Sequence, residues 1–178
     1  MKTEPTSSAQ LIARARDGDT DALGGLYRAH ARALFALAYR LTRSREESED
    51  IVHDVFLGLP EALRHYQERG SSEAWLKRIT ARLALTRLRS ARRFLEIDAQ
   101  DLSQQASPGT EAISITGTSL SRAIDALPEG LRRVFLLKQV EGLSHPEIAA
   151  LLEISEAASQ VRFHRAIKLL RRKLTPDS

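Results

Sequence analysis

The chain predicts an all-α protein: two small helical domains joined by a flexible linker. Three observations carry that expectation. Apolar residues recur at helical spacing along most of the 178 residues, and alternating strand patterns are nearly absent. Two basic blocks flank an acidic one. Residues 1–94 hold 17 basic and 12 acidic groups, residues 95–118 hold four acids and no Lys or Arg, and residues 119–178 hold 10 basic and 7 acidic groups. The middle segment is also rich in Ser, Gln, Thr and Gly and loses its periodicity, as a linker does. The formal net charge of +4 is therefore a cancellation between unlike segments. The expected boundaries are a first domain at 1–94, a linker at 95–118 and a second domain at 119–178.

The elements follow in order. Residues 8–17 suit a short helix that ends at Asp17-Gly18-Asp19. A second helix fits 20–42, with Leu23, Leu26, Tyr27, Leu34, Leu37, Ala38 and Leu41 at helical spacing. Ser44 and Glu47 form a capping-box signature, in which the hydroxyl takes one backbone N–H and the carboxylate another. The helix that follows buries Ile51, Val52, Val55, Phe56 and Leu59 on one face. Pro60 lacks an N–H, which predicts a kink or restart there. Tyr66–Ser72 reads as a loop around Gly70. In a fourth helix, about 72–94, Trp75, Leu76, Ile79, Leu83 and Phe94 share one sector, and Leu85 and Leu88 form a smaller second strip. Trp75 reads as core.

Helical signals resume after the linker. Leu120, Ile124 and Leu127 precede Pro128, which suits the first turn of a helix carrying Leu131 to Val140. Ser144 and Glu147 make a second capping box, with Pro146 in the first turn. A tight turn at Leu152–Ser155 leads to a last helix, 155–174. A short helix, tight turn and longer basic helix is the pattern of a helix-turn-helix.

Charge placement narrows the function. Trp75 to Arg93 contains seven basic residues and no acid, and Arg162 to Lys173 contains six and no acid. Rows of cations on helices neutralise phosphates, in the major groove or along a single strand. The third helix has the opposite sign, with Glu46, Glu47, Glu49, Asp50 and Asp54 within nine residues. That face suits a basic protein surface better than a metal or an acid–base pair around His53. Cysteine is absent, which excludes disulfides and thiol chemistry. Motifs for zinc proteases, serine hydrolases, phosphate loops and dinucleotide binding are also absent. No catalytic residue, metal ligand or cofactor is expected. The longest apolar run, Ala33–Tyr39, is far short of the roughly 20 residues of a membrane span. With no export signal evident, a cytoplasmic protein without membrane insertion is expected.

As a set, these residues resemble the extracytoplasmic-function (ECF) sigma factors of bacterial RNA polymerase. "EDIVHDVFLGL" looks like the family's polymerase-clamp helix and "EAWLKRITARLALTRLRSARR" like its promoter −10 helix. "AIDALPEGLRRVFLLKQVEGLSHPEIAALLEIS" looks like the helices leading into its −35 recognition helix. The resemblance implies that Asp50, His53 and Asp54 meet core RNA polymerase. It implies that Gln67, Ser71 and Ser72 hold an unstacked base, and that Lys77, Arg78, Arg82, Thr86 and Arg89 line the melted −10 DNA. Ser155, Glu156, Ala157, Gln160, Arg162 and Arg165 would read the −35 element. The acidic linker would thread through polymerase as a nucleic-acid mimic. An anti-sigma factor would be a further partner.

The departures are specific. His53 replaces a usual Gln, and Arg82 and Thr86 replace the usual Asn and Asp. Glu153 and Ala157 replace two glycines, Gln160 a Lys, and Ser159 a buried Val, with a loss of apolar burial of about 1–2 kcal/mol. Two other readings stand beside a sigma factor at this stage. One is a stand-alone helix-turn-helix regulator with an unrelated N-terminal domain. The other is a sigma-like polymerase-docking module with altered −35 recognition.

Overall fold

The computed structural model describes residues 8–66, 71–99 and 119–174. The protein is all-α, and among the described residues there is no strand. It divides into two units, Met1–Ala106 and Ser107–Ser178.

The first unit holds α1 (Ser8–Arg16), α2 (Thr20–Thr42), α3 (Arg45–Arg64) and α4 (Ser72–Ala99). Asp19 caps α2, its carboxylate accepting from the N–H groups of Asp21 and Ala22. Those bonds and the neighbouring Arg14 guanidinium hold the Asp19 carboxyl below its ordinary range. The α2 helix packs against α1, α3 and α4. Ile12, Leu26, Leu34, Val52, Val55, Leu59, Leu63 and Leu76 form one apolar core. Trp75, Ile79 and Leu83 lie half-buried against it, in the sector expected for them. Each fully buried leucine contributes about 1.5–3 kcal/mol.

Three local expectations need correction. The α3 helix runs on through Pro60, so of the kink or restart expected there the restart does not occur. Leu59 and Leu63 are fully buried on either side of an exposed Pro60, and their burial offsets one missing backbone hydrogen bond. The capping box at Ser44 is half formed. Ser44 Oγ accepts from the Glu47 N–H at 3.2 Å, but the Ser44 N–H donates to Thr42 Oγ1. The Glu47 carboxylate is thereby released to another partner. Helix α4 continues to Ala99, past the expected end at 94 and into the segment read as linker. The rest of that segment, 100–118, lies outside the described residues.

The second unit holds α5 (Ser119–Asp125), α6 (Glu129–Phe135), α7 (His145–Leu152) and α8 (Glu156–Leu174). A π-helical turn, Leu136–Val140, extends α6, where the sequence predicts one continuous α-helix. Its residues Leu136 and Leu137 are both buried. Pro128 stands at the N-cap position of α6, one residue before its first turn and with no side-chain capping bond, and the complete capping box of Ser144 and Glu147 starts α7 with Pro146 in its first turn. Ala123, Leu127, Phe135, Leu136, Ala166 and Leu170 form a smaller core, with Phe163 half-buried against it.

Candidate polymerase and nucleic-acid surfaces

In the first unit, the acids of α3 meet a cation that sequence reasoning missed. Arg87 of α4 makes a close ion pair with Asp54. It also lies 3.6 Å from the Glu47 carboxylate and 4.0 Å from that of Asp50. Asp50 and Asp54 stand one turn apart, so one guanidinium reaches both. His53 is exposed but is not part of this cluster. The acidic face is therefore partly neutralised from within. Among the described residues, no group of three or more His, Asp and Glu could hold a metal.

On the opposite account of charge, Arg78, Arg82 and Thr86 are exposed at four-residue intervals along α4. Arg89 follows half-buried, donating to Thr86 Oγ1 at 3.2 Å. These residues share one side of the helix. Lys77 is turned from that line and pairs with Glu73 at 3.1 Å. At the start of α4, Ser71 and Ser72 line a cleft of about 330 Å³ together with Ser8, His30, Tyr66 and Glu73. His30 is buried, and burial pushes its pKa down, against the opposing pull of Glu73. Its Nε2 lies 3.2 Å from Ser8 Oγ. Tyr66 packs on Trp75 with ring centroids 4.5 Å apart, and the Arg16 guanidinium lies 6.0 Å from the centroid of the same Tyr66 ring while donating to the Tyr66 carbonyl. Gln67 lies outside the described residues. Ser8, Arg16 and His30 were missed because they come from α1 and α2, far from the loop in sequence.

In the second unit, Ser155, Glu156, Ala157, Gln160 and Arg165 are exposed around the start and one side of α8. Ser155 Oγ accepts from the Ala158 N–H, and Gln160 Nε2 donates to Glu156 Oε1 at 3.2 Å. Arg162 differs. It is half-buried, and one guanidinium nitrogen lies near Gly130 of α6. The turn before α8 contains Glu153 in left-handed backbone, φ 55° and ψ 45°, where the resemblance has glycine. That conformation costs a non-glycine residue about 1 kcal/mol.

Ser159 is fully buried, as its predicted core position requires. It is not an orphan. Its Oγ lies 2.9 Å from His145 Nδ1, on the first turn of α7. The His145 ring also meets Phe163 edge-on at 5.8 Å. A polar tie between α7 and α8 thus stands where the family pattern has an apolar contact. The sequence carried a weak signal for it: a Ser at a core position asks for a partner.

Comparison with known proteins agrees with both units. Residues 26–94 match the model of Sigma-70 region 2, and residues 118–170 match that of Sigma-70, region 4. The ECF RNA polymerase sigma factor SigE of Mycolicibacterium smegmatis is 33% identical over 181 residues, covering 98% of this chain and 70% of SigE. The chain belongs to the ECF sigma factors. The structure of CnrH in complex with the cytosolic domain of CnrY is similar at TM-score 0.58 and 26% identity, covering 98% of this chain and 100% of CnrH. The sigma factor RpoE of Bartonella quintana, solved in complex with the anti-sigma factor NepR, shares the fold at TM-score 0.58 and 21% identity. That match covers 85% of this chain and 96% of RpoE. A region 2 match over the first block removes the reading as a helix-turn-helix regulator with an unrelated N-terminal domain. No helix among the described residues is long and apolar enough to cross a membrane.

Proposed function

We propose that this sigma factor acts in the cytoplasm as a promoter-specificity subunit with division of labour between its helices. The 1–94 domain binds core RNA polymerase and the −10 element, and the 119–178 domain binds the −35 element. Asp50, His53 and Asp54 on α3 dock core polymerase. The Ser71–Ser72 cleft, with Gln67, takes an unstacked −10 base, and Arg78, Arg82, Thr86 and Arg89 follow the melted strand, joined by Lys77 from beside that line once its pair with Glu73 opens. Ser155, Glu156, Ala157, Gln160, Arg162 and Arg165 contact the −35 duplex, Arg162 after leaving its place beside α6. The chain supplies no catalytic group of its own, and RNA synthesis belongs to the core enzyme. An anti-sigma protein is the expected antagonist, covering these same faces.

The observation that carries this reading is the juxtaposition of opposite charge in one unit. The α3 acids and the α4 cation stripe lie on neighbouring helices and meet at Arg87. One face suits a basic protein surface and the other a nucleic-acid backbone. Charge reversal of Asp50 and Asp54 to Lys tests it. Core affinity is expected to fall by about tenfold or more, with helicity unchanged. Unchanged affinity in a binding titration removes the docking role. Run-off transcription with core polymerase on genomic promoters tests the whole function, and its absence with core binding intact favours the docking module instead.

A further inference from the structure

The acidic face of α3 is already engaged by a cation of its own unit. Arg87 projects from α4 and makes a close ion pair with Asp54. The same guanidinium lies 4.0 Å from the Asp50 carboxylate and 3.6 Å from that of Glu47. It is 30% exposed, while the three acids are 43–65% exposed. The acids therefore remain reachable by a partner although one cation holds them. A basic surface laid on Asp50 and Asp54 would bring its own cations beside Arg87. Like charges so placed repel, and a carboxylate oxygen paired with one guanidinium is less open to a second. Docking on this face exchanges an internal cation for an external one.

The structure also gives the displaced cation room. A groove of about 420 Å³ opens beside Arg87, lined by Thr42, Glu47, Thr86, Leu88, Ser90 and Ala91. Glu47 is the one carboxylate among those lining residues. The half-formed capping box leaves it for Arg87, because the Ser44 N–H donates to Thr42 Oγ1 instead. The guanidinium can leave Asp54 without losing every partner. We infer that Arg87 is an autoinhibitory cation, which competes with the basic surface of core polymerase for Asp54 and Asp50 in the free protein. The inference rests on the reading of α3 as the docking face and adds an internal competitor to it.

Titration of core polymerase with the full chain tests it, at constant low salt because exposed ion pairs are screened. Arg87→Ala is expected to bind core about two- to fivefold more tightly than the unchanged protein, the worth of one partly exposed ion pair. Arg87→Gln, which keeps a polar side chain without the charge, is expected to gain as much. Circular dichroism checks that both variants keep their helices. In an Asp54→Asn background the gain from Arg87→Ala is expected to fall to less than half, because its closest partner is gone. Unchanged or weaker binding by both Arg87 variants overturns the inference, since Arg87 then holds the acids in place or touches polymerase itself. A gain of the same size in the Asp54→Asn background reduces the effect to net charge and also overturns it. Unchanged core affinity after charge reversal of Asp50 and Asp54 removes the docking reading itself, a separate and recognisable failure.

Discussion

In the first unit the polar contact between α3 and α4 lies at the surface, while in the second the polar contact between α7 and α8 lies at a buried position. Arg87 is 30% exposed and faces acids that are 43–65% exposed. Ser159 is fully buried against His145. Water can replace the partners of Arg87 but not those of Ser159. The difference assigns the two contacts different work. The first unit owes its geometry to its apolar core, and its ion pairs tune surface charge. The second adds to its apolar core one buried hydrogen bond that joins α7 to α8.

The largest test breaks the first half of that comparison. Leu26→Ala empties a fully buried site in the α1–α4 core and is expected to cost about 2–5 kcal/mol. Hydrogen exchange should lose protection across α2 while α8 amides keep theirs. Equal loss in α8 would mean that the units do not unfold separately. His145→Ala tests the second half. It leaves the Ser159 hydroxyl without that partner and is expected to cost about 1–3 kcal/mol, read as faster exchange in α7 and α8. Adding Ser159→Ala should cost little more, because the two residues share one interaction. Full additivity would remove the proposed tie.

Smaller effects sharpen the contrast. Arg87→Ala is expected to cost only about 0.2–1 kcal/mol in thermal unfolding, and less at high salt, because its ion pairs are solvated. A loss comparable to that of His145→Ala would contradict the distinction. Glu153→Gly relieves left-handed backbone but loosens the unfolded chain, for a net gain of about 0.5 kcal/mol. A lower unfolding midpoint would show that the Glu153 side chain has a role that outweighs its strain.

Much of this was legible in the amino-acid order, and two of the exceptions share a cause. The spacing of Leu26, Leu34 and Leu76 predicts their burial, and Ser144 and Glu147 predict the α7 cap that forms. Ser44 and Glu47 carry the same signature, yet Thr42 takes one bond and Arg87 draws the carboxylate away. Pro60 predicts a kink or a restart, and burial of its neighbours carries the helix on without the restart. In these two cases a partner or a packing face from another helix changed the local balance. No such partner among the described residues explains the extension of α4 to Ala99 or the π-helical turn at Leu136–Val140.

The sequence by itself determined the helices, most of their caps, the two apolar cores and the charge of each face. The helices and caps depend on contacts within about one turn, and the side of each helix that is apolar or charged follows from residue spacing. Only the tertiary structure decided which charged and polar groups meet. Arg87 finds Asp54 from 33 residues away, His145 finds Ser159 from 14, and Arg16 reaches Tyr66 from 50. Such pairs depend on how each helix is rotated about its axis against its neighbour. That rotation is set by the packing of whole apolar faces, which no short stretch of sequence contains.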